Sequence, residues 1–250
     1  MIGKDILFAL AIILSVMMSS CMGDGENMVN FHRVGVVRDR PMRSIYTTDD
    51  KGNIFKISSS DFEKREDLKD GYCCQVDFKT NFMDEIGDGV YKADIFKYDS
   101  VAVWPLHAAL TDTSSVINDE RIISLDFDKS LYLDGYLFMQ ARHSIHQTDQ
   151  KDIFNLSYNP AHGAWVADDG SRVYDLYLRI SQEGGTGDST NWISTTAFDI
   201  ADFVRDVKSK ESAAGVDEIN LRVNYPSGFN ADTTACVWSA TDIFTLRFSN

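Results

Sequence analysis

The chain has 250 residues, with 24 Lys and Arg against 38 Asp and Glu, for a formal net charge of −14 at pH 7. So acidic a surface repels phosphate backbones, and no Lys/Arg-rich patch with interleaved aromatics interrupts it, which excludes nucleic acid as a partner. Hydrophobic residues at 44% and aromatics at 12% supply core for one large β domain or two small ones.

Lys4 opens a short, weakly basic start, and residues 6–18 form an almost unbroken apolar run. That run is too short to persist as a spanning helix and has the length of a secretory h-region. Ser19 and Ser20 then precede Cys21. A cysteine directly after small residues at this point resembles a bacterial lipoprotein lipobox, with Met18 where Leu is usual. The resemblance implies cleavage before Cys21, diacylation of its sulfur and acylation of the new amine. The alternative is an ordinary signal cut near Ser20, with Cys21 an incidental thiol. Several acyl chains, at about 0.8 kcal/mol per buried CH₂, anchor firmly where one myristoyl chain does not. Residues 22–30 are small, polar and acidic, as a tether is, and Asp24 and Glu26 are similar to the acidic export signals of Bacteroidetes surface lipoproteins. The expected location is the cell envelope, lipid-anchored in the outer membrane, on its periplasmic or surface face. The membrane is then a partner through Cys21.

The remainder reads as β almost throughout. Residues 43–57 make a hairpin around a turn at 49–53, since Gly and Asp separate two β-rich runs. Residues 71–82 follow as a strand, and 90–106 as one long strand or two with a bend. Residues 107–119, rich in Thr, Ser and Asp, read as a connector. Strands are then expected at 121–126, 131–133, 136–145, 153–158 and 173–180. On residues 136–145, Leu137, Met139, Ala141, His143 and Ile145 share one face. Residues 184–191 read as a flexible loop. The one helix is expected over 198–207, where Phe198, Ala201, Phe203, Val204 and Val207 lie near helical spacing. Ile219, Leu221, Val223 and Tyr225 alternate with polar residues in a late strand, and residues 235–248 close the chain.

This layout predicts a mainly β protein: a small β-barrel followed by an antiparallel β-sandwich with one short helix. The expected division is a signal peptide at 1–20, an acylated cysteine and tether at 21–32, a barrel at 33–112 and a sandwich at 113–250. The succession IYTTDDKGNIFKIS, DGYCCQVDF, ADIFKYDSVAVWPL, LDGYLFMQARHSIHQ, IFNLSYNP, VYDLYLRI and INLRVNYPS is similar to the NigD-like lipoproteins of Bacteroidetes. The resemblance covers most of the mature chain and implies an OB-type barrel ahead of a β-sandwich. That family carries no established catalytic residues, and its name comes from a component of a bacteriocin operon.

Chemistry is sparse. No Gly-x-Ser-x-Gly elbow is present, and the Gly-rich stretch 184–189 lacks the P-loop Lys, so no catalytic residue and no cofactor is indicated. His143 and His146 fall on opposite faces of a strand and cannot share an ion, and Asp126, Asp128 and Ser130 lack the Gly and Glu of an EF-hand, so no metal site is indicated. Cys73, Cys74 and Cys236 remain after Cys21: a bridge from Cys73 or Cys74 to Cys236 is one reading, and small buried hydrophobes the other. Trp165 and Trp192 sit in loop-rich neighbourhoods suited to stacking a sugar, although tryptophans also close the ends of cores. The expected role is non-enzymatic binding of a protein or glycan. A carbohydrate-active enzyme is the alternative, and a bacteriocin-related role rests on the family name alone.

Overall fold

The structure is a computed structural model that describes residues 28–109, 119–126, 132–213, 215–216 and 218–246; at 147 and 148 it describes the backbone only. Cys21, the leader and the residues 127–131 of the calcium-like stretch lie outside the described residues.

Five strands close a barrel in the order β1 (Met28–Arg38), β2 (Ser44–Thr48), β3 (Ile54–Ser58), β5 (Val90–Ser100), β4 (Cys73–Gly87), with β4 returning to β1. The β3–β5 pairing is parallel and the rest are antiparallel, an OB-type arrangement. The expected hairpin is β2–β3, with Asp49 accepting hydrogen bonds from the backbone N–H of Lys51 and Asn53 in its turn. Gly35 permits the β1–β2 approach, since a Cβ there would lie 2.5 Å from Ile45 Cγ2. The core holds Phe31, Val37, Ile45, Ile57, Phe62, Cys74, Val76 and Phe78.

The second body is one curled sheet whose main path runs β15 (Cys236–Ala240), β14 (Ile219–Phe229), β12 (Arg172–Glu183), β10 (Lys151–Tyr158), β6 (Ala102–Ala108), β13 (Thr186–Asp199), β9 (Tyr136–Thr148), β7 (Ile122–Asp126). Short strands β8 (Tyr132–Leu133), β11 (Trp165–Val166) and β16 (Phe244–Leu246) pair with β9, β12 and β14. The two halves face each other across one core: Leu137, Met139, Ala141 and Phe198 from one side, and Phe154, Leu156, Leu176, Leu178, Leu221 and Val223 from the other. Helix α1 (Ala201–Ala213) adds Phe203, Val204 and Val207 to that core. Asp202 in its first turn and Lys210 in its last complement the helix dipole. Among the described residues no helix is long and apolar enough to cross a membrane.

The mainly β reading and the alternation on β9, β12 and β14 match the structure, while four boundaries move. β1 begins at Met28, inside the expected tether. β6 pairs with β10 and β13, so the second sheet begins at Ala102 and not beyond residue 112. Residues 186–191 of the expected loop 184–191 are the outer part of β13, paired along β9. The helix starts at Ala201, because residues through Asp199 stay in that ladder. The sheet is also mixed rather than antiparallel: β6 runs parallel to both of its neighbours, and β14 runs parallel to β12 after the helical crossover.

A third apolar cluster joins the two bodies: Val36, Cys73 and Val101 against Leu133, Phe138 and Ala197. Arg38 extends it, ion-paired to Asp134, donating to the Asp134 carbonyl at 2.8 Å, and lying 5.6 Å from the Tyr136 ring centroid.

Candidate functional site

The parallel β12–β14 register sets Asp175 opposite Arg222. Strand alternation keeps both off the core, and the Arg222 fork donates to both carboxylate oxygens, at 2.7 and 2.9 Å. β11 lies along the start of β12, with Trp165 opposite Val173, which brings the indole under Arg222: its guanidinium carbon is 4.4 Å from the ring centroid. Around them opens a cavity of about 250 Å³, lined also by Tyr158, Asn159, His162, Tyr174, Tyr177 and Phe203. Its floor is fixed by edge contacts of Phe203 with Tyr158 and Tyr174, and Tyr177 is held by Trp238.

Behind this cleft, Glu211 of α1 accepts hydrogen bonds from Arg172 Nε at 2.7 Å and from the Tyr174 hydroxyl at 2.5 Å. The Arg172 hydrogen bond holds the Glu211 carboxyl below its usual range against the opposing effect of burial, and burial beside Glu211 raises the Tyr174 hydroxyl. One polar atom at the cleft is left over. Trp165 Nε1 is buried and has no hydrogen-bond partner among the described residues. A cavity combining five aromatic rings and a forked charge pair can hold a small ligand with both a ring face and hydrogen-bonding groups.

A second cluster surrounds His143. The imidazole is wholly buried, with Nδ1 3.0 Å from Glu120 Oε2 and Nε2 2.8 Å from Ser194 Oγ. Asp152 Oδ2 lies 3.8 Å from Nε2, and Gln150 Nε2 donates to both Glu120 and Asp152. The order hydroxyl, imidazole, carboxylate is that of a nucleophile relay. Burial argues for a structural role instead, since an imidazole without solvent exposure has no open route to exchange a proton with a substrate. The absence of metal donors expected from His143–His146 spacing also needs correction: donor atoms of Glu120, His143 and Asp152 lie within 4.8 Å of one another. The Gln150 amide bridges the two carboxylates, and the hydrogen bonds of Glu120 and Ser194 to the two ring nitrogens already engage the imidazole. His146 is elsewhere, with Nδ1 3.0 Å from the Gly187 carbonyl.

Of the two sequence-selected tryptophans, Trp165 is in the cleft, whereas Trp192 lies on β13 opposite His143, 55% exposed, and does not line it. Arg222, Asp175 and the tyrosines went unselected, because an arginine inside an alternating strand carries no local mark of its partner. The disulfide reading is corrected: Cys73, Cys74 and Cys236 are free thiols. Adjacent strand residues point apart, so Cys74 enters the barrel core while Cys73 enters the joint between the two bodies.

No family model and no curated protein matches the chain. Among solved structures, it is similar to an uncharacterised protein from Parabacteroides merdae, with 23% identity and a TM-score of 0.72 over 87% of this chain and 98% of that one. It is also similar to a protein named as a candidate lipoprotein from Bacteroides fragilis, with 12% identity and a TM-score of 0.56 over 89% and 100%. A NigD-like immunity protein from Bacteroides caccae aligns at 12% identity over 84% and 91%, with a TM-score of 0.43, too low to carry an argument. At these identities the likeness concerns the fold, which this chain shares with proteins of Bacteroidetes.

Proposed function

We propose that the protein is a cell-envelope lipoprotein, anchored in the outer membrane through Cys21, that binds a ligand without transforming it, and that the Trp165 cleft receives a single sugar ring. The observation that carries the binding reading is the cavity walled by Trp165, Tyr158, Tyr174, Tyr177 and Phe203 beside the Asp175–Arg222 fork. Sugars present an apolar ring face for stacking and hydroxyls for hydrogen bonding, and this lining offers a partner for each. The volume sets the size. At about 250 Å³ the cleft is smaller than the ~300–1,000 Å³ of sites for drug-sized ligands, which favours one ring over an oligosaccharide. The lipobox-like Cys21 supports the anchor, and a similarly folded chain named as a candidate lipoprotein agrees with it.

The test is titration with a panel of free monosaccharides and amino sugars, read by tryptophan fluorescence and by chemical-shift changes in wild type and Trp165→Ala. Saturable shifts in wild type that vanish in the variant support the reading. No shift with any sugar, or identical shifts in both proteins, removes it.

A further inference from the structure

We infer that the outer tip of the β4–β5 hairpin seats the barrel on the lipid bilayer to which Cys21 is acylated; the inference rests on the anchoring part of the proposed function. Between Thr80↔Ala93 and Glu85↔Tyr91 the hairpin loses register, so residues 81–84 of β4 face only Lys92 of β5. The surplus pushes side chains outward. Phe82, Met83 and Ile86 are 40%, 80% and 44% exposed, and Val29 on the neighbouring strand is 41% exposed. The tip has a firm backing. Phe82 is held edge-on by Phe55 and Tyr91, at 5.1 and 5.3 Å between ring centroids, so it does not need to be ordered on contact.

The occupant is argued from where the chain enters. Met28 is paired with Asn81, the residue before Phe82. Only six residues separate Cys21 from Met28. Fully extended, that stretch reaches roughly 25 Å, so an acylated Cys21 confines this end of the barrel to the bilayer surface. An apolar tip held there enters the interface, where amphipathic protein surfaces bury about 5–10 Å deep. Asp84, Glu85 and Asp88 share the hairpin with Lys92, and Lys56 Nζ donates to the Asp88 carbonyl. This acidic balance matches a zwitterionic headgroup layer better than an anionic one.

The experiment uses the full-length, processed protein with Met83→Cys in a Cys236→Ser background, where the two other native thiols are buried. The cysteine carries an environment-sensitive fluorophore, and the protein is reconstituted into phosphatidylcholine–phosphatidylethanolamine vesicles with a shallow lipid quencher. A parallel protein is labelled at Asp168→Cys. The expected result is blue-shifted, lipid-quenched emission at 83 only, weakened by added phosphatidylglycerol. A label at 83 that stays in water on an anchored protein overturns the seating and leaves the anchor intact. Emission that shifts with protein density and ignores the quencher means a second copy covers the tip, which also overturns it. A protein that, like Cys21→Ser, never enters the vesicle fraction removes the anchor and the seating together.

Discussion

Arg222 stands over the indole of Trp165 while its fork is held by Asp175, so a single guanidinium couples the ring to the β12–β14 ladder. Neither contact is available to an ammonium in the same form, because stacking and two-point donation both need the planar fork. The cleft wall thus depends on a side chain whose position is set from the neighbouring strand.

Arg222→Lys keeps the charge and should cost about 1 kcal/mol in denaturant unfolding, the pair being partly exposed. It should also red-shift Trp165 emission as the ring loses its cover. An unchanged midpoint and spectrum would show that the guanidinium does not order the wall.

Glu211 makes the joint between α1 and β12 sensitive to acid. Its folded pKa lies below the ordinary carboxylate value, chiefly through the Arg172 hydrogen bond, so its contribution is whole above that range and is lost as pH falls through the folded value. Glu211→Gln should cost about 2 kcal/mol at pH 7 and flatten the fall in stability below the carboxylate range. Thermal unfolding of both proteins across that range measures both effects.

The three thiols should react in two classes. Burial pushes Cys73 and Cys74 up to about 12, whereas Cys236 is half-buried. Iodoacetamide on the native protein should modify Cys236 alone, and all three after denaturation without reductant, as counted by mass spectrometry. Two thiols missing from the denatured count would restore the bridge.

His143→Ala should cost about 3 kcal/mol, because Glu120 is left buried without its ring partner. Ser194→Ala, which removes one neutral partner, should cost about 1 kcal/mol. Labelling of wild-type Ser194 by a fluorophosphonate probe would reverse the structural reading and make the cluster a relay.

Gly35→Ala should cost about 2 kcal/mol, because the added methyl meets Ile45 and the Tyr46 carbonyl in a closed barrel. Equilibrium unfolding would show it, and a neutral outcome would mean that β1 and β2 can separate.

Much of the architecture was legible in local pattern. Tyr174, Leu176, Leu178 and Ile180 alternate in the sequence and enter one core, as do Ile219, Leu221 and Val223. The Asp and Gly at 49–53 announce the β2–β3 turn, and the leader ending at Cys21 is a property of sequence alone. Trp165 was legible as a ring near turns, but its cleft was not. Period-two alternation tells which face a residue takes and nothing about which strand lies beside it. Whether β6 joins the barrel or the second sheet, whether Arg222 meets Asp175, and whether His143 meets Glu120 depend on pairings between distant segments. Only tertiary structure decides those, because each strand's free edge and apolar face can be satisfied by several partners, and the choice falls to the arrangement that covers them all at once.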